Sequence, residues 1–303
     1  MKKIALLLVA GMLTVSLAWS QSPHTLLWRI SVKNVTHPSY LFGTMHVLCA
    51  KDAELSDSLK KAIAKCDKIY FEINLSDMMG MLNAMKYMRM KDGQTLSGLL
   101  KADEYARVKD YFSKHMSMIP FSMLEHFKPM LISGIVEEQS MDCDTKDGME
   151  MQILGESKQY NKPVDGLETA EFQAGLFDSI PYKEQAKELL NSIDSADQNK
   201  ETTRQLVDLY NRQDLDGIDS LSHKDDGGVE SDHMDLLLYA RNRKWAKMLD
   251  SLLGQHSLLI AVGAAHLPGK GGVIDLLRKE GYTLEPVPNQ VPKGQTAISV
   301  QMR

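Results

Sequence analysis

Apolar residues in this chain change their period several times, and each change marks an element. From Leu26 to Ile30 and again from Ser39 to Phe42, β-branched, aromatic and apolar residues flank the polar turn KNVTHP, which predicts a hairpin. ELSDSLKKAIAKC has helical spacing, and DKIYFEINL is a compact apolar strand with one glutamate, Glu72, in its second half. From there to about Thr145 the pattern is helical, and Pro129 in its last segment predicts a kink or a division. GMEMQILGESKQYN reads as a further helix, KPVDGLE as a short strand, and TAEFQAGLFDS as a helix with Thr169 as its N-cap.

The polar stretch from Tyr182 to Leu221 predicts charged surface helices, and SHKDDGGVESD a loop. HMDLLLYARNRKWAKMLDSLLG has apolar residues at helical spacing and a stop at Gly254. LLIAVG, beginning at Leu258, is an unbroken apolar run of strand length. A helix in GGVIDLLRKEG and the edge strands YTLEPV and TAISVQ close the chain. Strands alternate with helices at both ends while the middle is helical. The fold class is therefore α/β, with α+β as the alternative: a central mixed sheet with flanking helices and a helical insertion over about residues 76–150. Thirteen of the nineteen methionines fall between Met78 and Met151. They form either an irregularly packed core or an adaptable cover over an apolar or peptide substrate.

Composition changes this picture mainly at the N-terminus. Lys2 and Lys3 precede an apolar run from Ile4 to Ala18 and the small-residue pattern Ala18-Trp19-Ser20, which together read as a signal peptide over residues 1–20. A single domain over 21–303 follows. No later segment offers about 18 uninterrupted apolar residues, so no transmembrane anchor is expected, and the protein should be exported to the periplasm or the extracellular space. A formal net charge of −5 gives no electrostatic reason to expect nucleic acid. Three cysteines, Cys49, Cys66 and Cys143, leave at least one thiol without a partner inside the chain. Cys49–Cys66 is one candidate bridge, and buried free thiols are the alternative.

Two short stretches carry the candidate chemistry. LLIAVGAAHLPG ends an apolar strand on small residues and a histidine, and PSYLFGTMHVL sets His46 behind Gly43 at the spacing of His266 behind Gly263. Ligands of open α/β sheets bind beyond the carboxyl ends of strands, where His46, His266 and Glu72 are expected to lie. Two histidines and a glutamate can hold a catalytic zinc and leave a position open for water. The bland reading of each histidine is a structural or merely polar side chain. A residue without Cβ ahead of each one lets backbone, metal or substrate come close. HLPGKGG lacks the spacing and the Lys-Ser/Thr ending of a P-loop, though its N–H groups can face an anion. Cys49 is either a softer ligand or buried, and His24, His37, His115, His126, His223, His233 and His256 are expected to be solvated.

LWRISVKNVTHPSYLFGTMHVL, YFEINL, KPVDGLET, LLYARNRKWA and LLIAVGAAHLPGKGGVIDLLRKEGY follow one another in the order of the TraB/PrgY/GumN family. Over nearly all of the mature chain the sequence resembles the GumN-like exported bacterial members. That family is similar to the Tiki metalloproteases and, more distantly, to erythromycin-esterase-like and ChaN-like proteins, which implies an EreA/ChaN-like fold. Carried over by motif, the resemblance implies a metal-dependent hydrolytic centre at Gly43, His46, Glu72, Gly263 and His266, with a divalent cation (Zn, Mn or Co). Arg241 and Asn242 match the family's Arg-Asn pair. Arg241 either holds a substrate carboxylate or oxyanion or forms an ordinary salt bridge to a carboxylate such as Glu168. Glu168 either orients a ligating imidazole or caps the helix that follows it.

The resulting expectation is an exported metal-dependent hydrolase, peptidase-like, acting on a peptide or small-molecule substrate. Glu72 serves there as ligand or as general base. A non-catalytic protein that sequesters a peptide, a haem-like ligand or a metal is the alternative. A scaffold with a degenerate site would keep the two histidines far apart.

Overall fold

The computed structural model describes residues 24–291 apart from 32, 34, 36, 116–118, 142, 144 and 225–228. The expected signal peptide and the expected closing strand TAISVQ fall outside the described residues. β1 (Leu27–Ser31) and β2 (Ser39–Thr44) form the expected antiparallel hairpin, with Leu27 opposite Phe42 and Ile30 opposite Ser39. The two-residue strand β3 (Leu48–Cys49) follows, then α1 (Asp57–Lys65), whose Leu59 N–H donates to the capping Ser56 hydroxyl. β4 (Lys68–Ile73) carries Glu72 as its penultimate residue.

Between β4 and the next long strand the chain forms α2 (Met78–Ala84), α3 (Leu96–Leu99), α4 (Ala102–Lys114), α5 (Phe121–Leu124) and α6 (Pro129–Ser140), then β5 (Lys146–Asp147) and α7 (Met149–Gln159). Pro129 divides rather than kinks. It opens α6 in the first turn, where its missing N–H costs nothing. β6 (Val164–Glu168) leads into α8 (Ala170–Leu176), capped by Thr169 as expected, with Phe172 N–H donating to Oγ1. Then come α9 (Tyr182–Asp194), α10 (Ala196–Asn211), α11 (Leu215–Ser222) and α12 (Val229–Asp232), the last within a stretch expected to be loop. A π-helical turn, Asp235–Tyr239, runs into α13 (Ala240–Leu253), which ends at Gly254. β7 (Leu258–Gly263), a 3₁₀ turn at Ala264–His266, α14 (Val273–Lys279) and β8 (Thr283–Pro286) complete the described chain.

Six strands form one mixed sheet in the order β6-β4-β7-β2-β1-β8, the first four mutually parallel and the β1 pairings antiparallel. The apolar run of β7 is explained by its central place, since Leu258 to Val262 are buried between β4 and β2. Parallel strands in register deliver their carboxyl ends to one edge. Thr44 lies opposite Gly263, and Ile73 opposite Glu168. Glu72, Glu168, the His46 loop and the His266 turn are therefore neighbours, although up to 220 residues separate them.

The helices read from sequence as charged surface elements turn out to have buried sides. Ala186, Leu189 and Leu190 of α9 close a second apolar core with Val108, Phe112, Ile132 and Val136. The methionine-rich segment is likewise not mainly interior: Met78, Met79, Met85, Met123 and Met151 are exposed, whereas Met90, Met130 and Met149 are buried. Cys49 pairs with Cys143 rather than with Cys66, because β3 lies beside β5 and brings their Cα atoms to 5.8 Å. Cys66 is the buried free thiol.

Candidate functional site

The site grows from the four parallel strand ends. Glu72 projects from β4 toward β7, and its Oε1 accepts the Gly263 N–H at 2.8 Å. A Cβ built on Gly263 would lie 3.3 Å from Glu72 Oε1, 3.5 Å from His266 Cδ2 and 3.8 Å from His46 Nε2. The glycine ahead of His266 thus leaves room for three side chains to gather at one point. Gly43 serves packing instead. A Cβ there would press on Ala264 at 3.1–3.2 Å and on Leu267, so its absence lets β2 lie against the His266 turn.

His266 is buried and held by one partner on each ring nitrogen. Asn242 Nδ2 donates to the carbonyls of Gly271 (3.0 Å) and His266 (3.3 Å), which leaves Asn242 Oδ1 to accept from His266 Nδ1 at 2.6 Å. The proton is therefore on Nδ1, and the Nε2 lone pair faces Arg241 Nη1 at 3.2 Å and Glu72 Oε1 at 3.7 Å. Burial pushes its pKa down to about 4 against the pull of Glu72, aided by the Arg241 and His46 charges. His266 is neutral at pH 7.

His46 sits in the opposite environment. Its side chain is 66 % exposed, and Nδ1 donates to Glu150 Oε1 at 2.6 Å. The Thr44 hydroxyl donates to that same oxygen at 2.6 Å. The Glu150 bond, outweighing the effect of burial and helped by the charges of Glu150 and Glu72, raises the His46 pKa to about 9. For Glu72, burial acts upward, but His266, Arg241, His46 and the Gly263 N–H together overcome it and hold the carboxyl at about 2.

Arg241 knits the centre together. Its Nη2 donates to Glu72 Oε2 at 2.6 Å, its Nε to Glu168 Oε2 at 2.9 Å and its Nη1 to the Leu237 carbonyl at 3.0 Å. The guanidinium also lies 4.7 Å above the buried Trp245 ring, which touches the His266 ring as well. The π-helical turn ends two residues before Arg241, a distortion common at functional sites. Gln173 Nε2 spans the same two carboxylate oxygens at 3.1 and 3.4 Å. Glu168 is thus a salt-bridge partner of Arg241 and contacts neither imidazole by hydrogen bond, while its Oε1 is buried with no partner among the described residues.

All eight residues expected at the site gather at this sheet edge; Glu150, Thr44 and Gln173 were not anticipated. A carboxylate in the first turn of a helix, as Glu150 is, looks like an ordinary partner of the helix dipole, and nothing in its local pattern singles it out. Of the other histidines, His24, His115, His223 and His256 are exposed and His37, His126 and His233 half-buried.

Two imidazoles and a carboxylate are suitable donors for Zn, Mn or Co, and both rings have Nδ1 engaged, with His46 Nε2 near Gly263 and His266 Nε2 facing Arg241 and Glu72. In chemistry the donor set fits a divalent cation. In spacing, no group of three or more His, Cys, Asp or Glu among the described residues is arranged to hold one, and Arg241 already occupies Glu72 Oε2 and His266 Nε2. Among the described residues no helix is long and apolar enough to cross a membrane.

Comparison with known proteins bears on this arrangement. The family model described as the TraB/PrgY/gumN family matches residues 26–286. The zebrafish (Danio rerio) protein named Metalloprotease TIKI2 is 24 % identical over 322 residues, covering 89 % of this chain and 62 % of its own length. Human (Homo sapiens) Metalloprotease TIKI1 is 23 % identical over 304 residues, 83 % of this chain and 60 % of its own length. The Shigella flexneri protein YbaP, whose name carries no activity, is 23 % identical over 244 residues, 79 % of this chain and 88 % of its own length. This chain therefore spans about 60 % of the length of the Tiki relatives it matches. No solved structure matches.

Proposed function

Because this chain belongs to the TraB/PrgY/gumN family, we propose that it is an exported hydrolase of peptide bonds that works with a divalent cation at His46, Glu72 and His266. The observation that carries this reading is the meeting of His46 Nε2, Glu72 Oε1 and the His266 ring around Gly263, in a family whose named relatives include metalloproteases. When bound, the cation supplies Lewis acidity that makes water acidic enough to attack near neutral pH. The chain's own side chains do the rest. Asn242 keeps His266 in the tautomer that offers Nε2, while Glu150 holds the Nδ1–H of His46, whose Nε2 must give up its proton before it can serve as a ligand. Glu72, negative at neutral pH, serves as third ligand or as the base that takes a proton from water. Arg241 Nη1 must leave His266 Nε2 before that nitrogen can serve as a ligand, and it is then free to face a developing oxyanion. Export rests on the signal-like residues 1–20.

The test is metal content and peptide turnover of wild type beside His46→Ala and His266→Ala. Each variant is expected to lose its metal and most of its turnover; unchanged turnover in both rejects the mechanism. Sequestration of a peptide, a haem-like ligand or a metal without turnover is the second reading. For a peptide or another anionic ligand it draws support from Arg241, which already occupies Glu72 Oε2 and His266 Nε2, two of the acceptors a cation would need. Tight ligand binding with no hydrolysis across a peptide library favours it.

A further inference from the structure

We infer that Glu150 is the positioning residue of His46: it fixes the imidazole with Nε2 turned toward Gly263, and it is held in place by a clamp built from a distant part of the chain. The two residues are 104 positions apart, yet Nδ1 and Oε1 are 2.6 Å apart. Five features lock the segments carrying them. Cys49 is bonded to Cys143, and β3 pairs with β5, Leu48 opposite Asp147 and Cys49 opposite Lys146. Ala50 N–H donates to the Thr145 carbonyl at 2.9 Å, and Met149 N–H to the Met45 carbonyl at 3.1 Å. Gly148 lies so close to the His46 carbonyl oxygen that any Cβ there would overlap it. These contacts deliver the first turn of α7 to the His46 loop, with little freedom left for the Glu150 side chain.

Thr44 completes the arrangement. Its hydroxyl and His46 Nδ1 both donate to Glu150 Oε1, so the carboxylate is anchored to β2 and to the imidazole by one atom. Two donors on one ionised oxygen make short, charge-assisted bonds that resist ring rotation. An exposed histidine at a loop would otherwise sample its rotamers freely, and its Nε2 would face Gly263 only part of the time. Glu150 thereby does for the exposed ring what Asn242 does for the buried one. It acts through His46 and touches neither Glu72 nor His266 by hydrogen bond.

The consequence for a bound cation rests on the proposed hydrolase function, whereas the ring geometry does not. The experiment therefore reads both, using full-length protein purified without metal. In ¹⁵N-histidine spectra, assigned by loss of signals in His46→Ala, the wild type is expected to show a His46 Nδ1 proton protected from solvent exchange. Glu150→Gln, which keeps an acceptor oxygen, should retain it, and Glu150→Ala should lose it. Glu150→Met, of similar size but with no oxygen, serves if the alanine variant does not fold. Calorimetry with Zn²⁺ should give about 10–100-fold weaker binding in the alanine or methionine variant and a smaller loss in the glutamine one. A protected Nδ1 proton and undiminished Zn²⁺ affinity in the variants lacking an acceptor overturn the assignment. A wild type that binds no Zn²⁺ while the proton behaves as expected supports the positioning role and counts against the metal reading.

Discussion

His46 and His266 leave neighbouring parallel strands behind the same Gly-x-x spacing, but the two rings live in different media. His266 is 7 % exposed, rests against Trp245 and is bonded to a neutral amide; His46 is two-thirds exposed and bonded to a carboxylate. Burial keeps the first neutral, and the Glu150 partner keeps a proton on the second. A repeated motif thus specifies where an imidazole stands, while the partner brought up from elsewhere decides which protonation state it holds.

The comparison breaks most severely at Arg241, which balances the buried half. Arg241→Met leaves Glu72 and Glu168 buried without their cation, and a loss of about 3–5 kcal/mol in urea unfolding is expected. A loss under about 1 kcal/mol, the scale of an exposed ion pair, would mean that the two carboxylates are solvated or protonated instead. The histidines themselves should then differ. His266→Ala removes a buried ring and orphans Asn242 Oδ1, costing about 2–3 kcal/mol. His46→Ala, at the exposed end and with Thr44 still donating to Glu150, should stay within about 1 kcal/mol. Equal losses in the same unfolding assay would erase the distinction between the two halves.

A further test is the pH dependence of stability in the metal-free protein. His266 has its folded pKa lowered from 6.5 to about 4, so its contribution is present above 6.5 and is lost as pH falls toward 4. Glu72, lowered from 4.5 to about 2, adds a further loss below 4.5. His46, raised from 6.5 to about 9, contributes below 6.5 and loses its contribution as pH rises through 9. Melting temperatures should therefore peak near neutrality, with a steeper acid limb than alkaline limb, because two buried groups act on the acid side and one exposed group on the other. A monotonic profile from pH 4 to 9 would contradict these assignments.

Much of this was legible in the residues because strands and their ends write themselves in short patterns. Leu258 to Val262 read as a strand because the run is unbroken and apolar, and Gly263 with His266 marked its end. Thr169 announced a helix start, and Pro129 an interruption, through backbone chemistry that needs no tertiary context. What stayed hidden depends on packing between remote segments. The partners Glu150 for His46 and Cys143 for Cys49 are 104 and 94 residues away, and no local periodicity encodes them. The α9 helix looked like surface because its polar residues dominate, yet Leu189 and Leu190 meet an insertion whose position only the fold reveals. The same holds for Arg241, whose motif was visible while its simultaneous grip on Glu72, Glu168 and His266 was not.

The most direct measurement is a proton NMR titration of the two imidazoles in metal-free protein, each assigned by its alanine variant. Separated midpoints are expected, about 9 for His46 and about 4 for His266. Coincident midpoints near the ordinary value of about 6.5 would contradict a shared centre in which Glu150 charges one ring and burial neutralises the other.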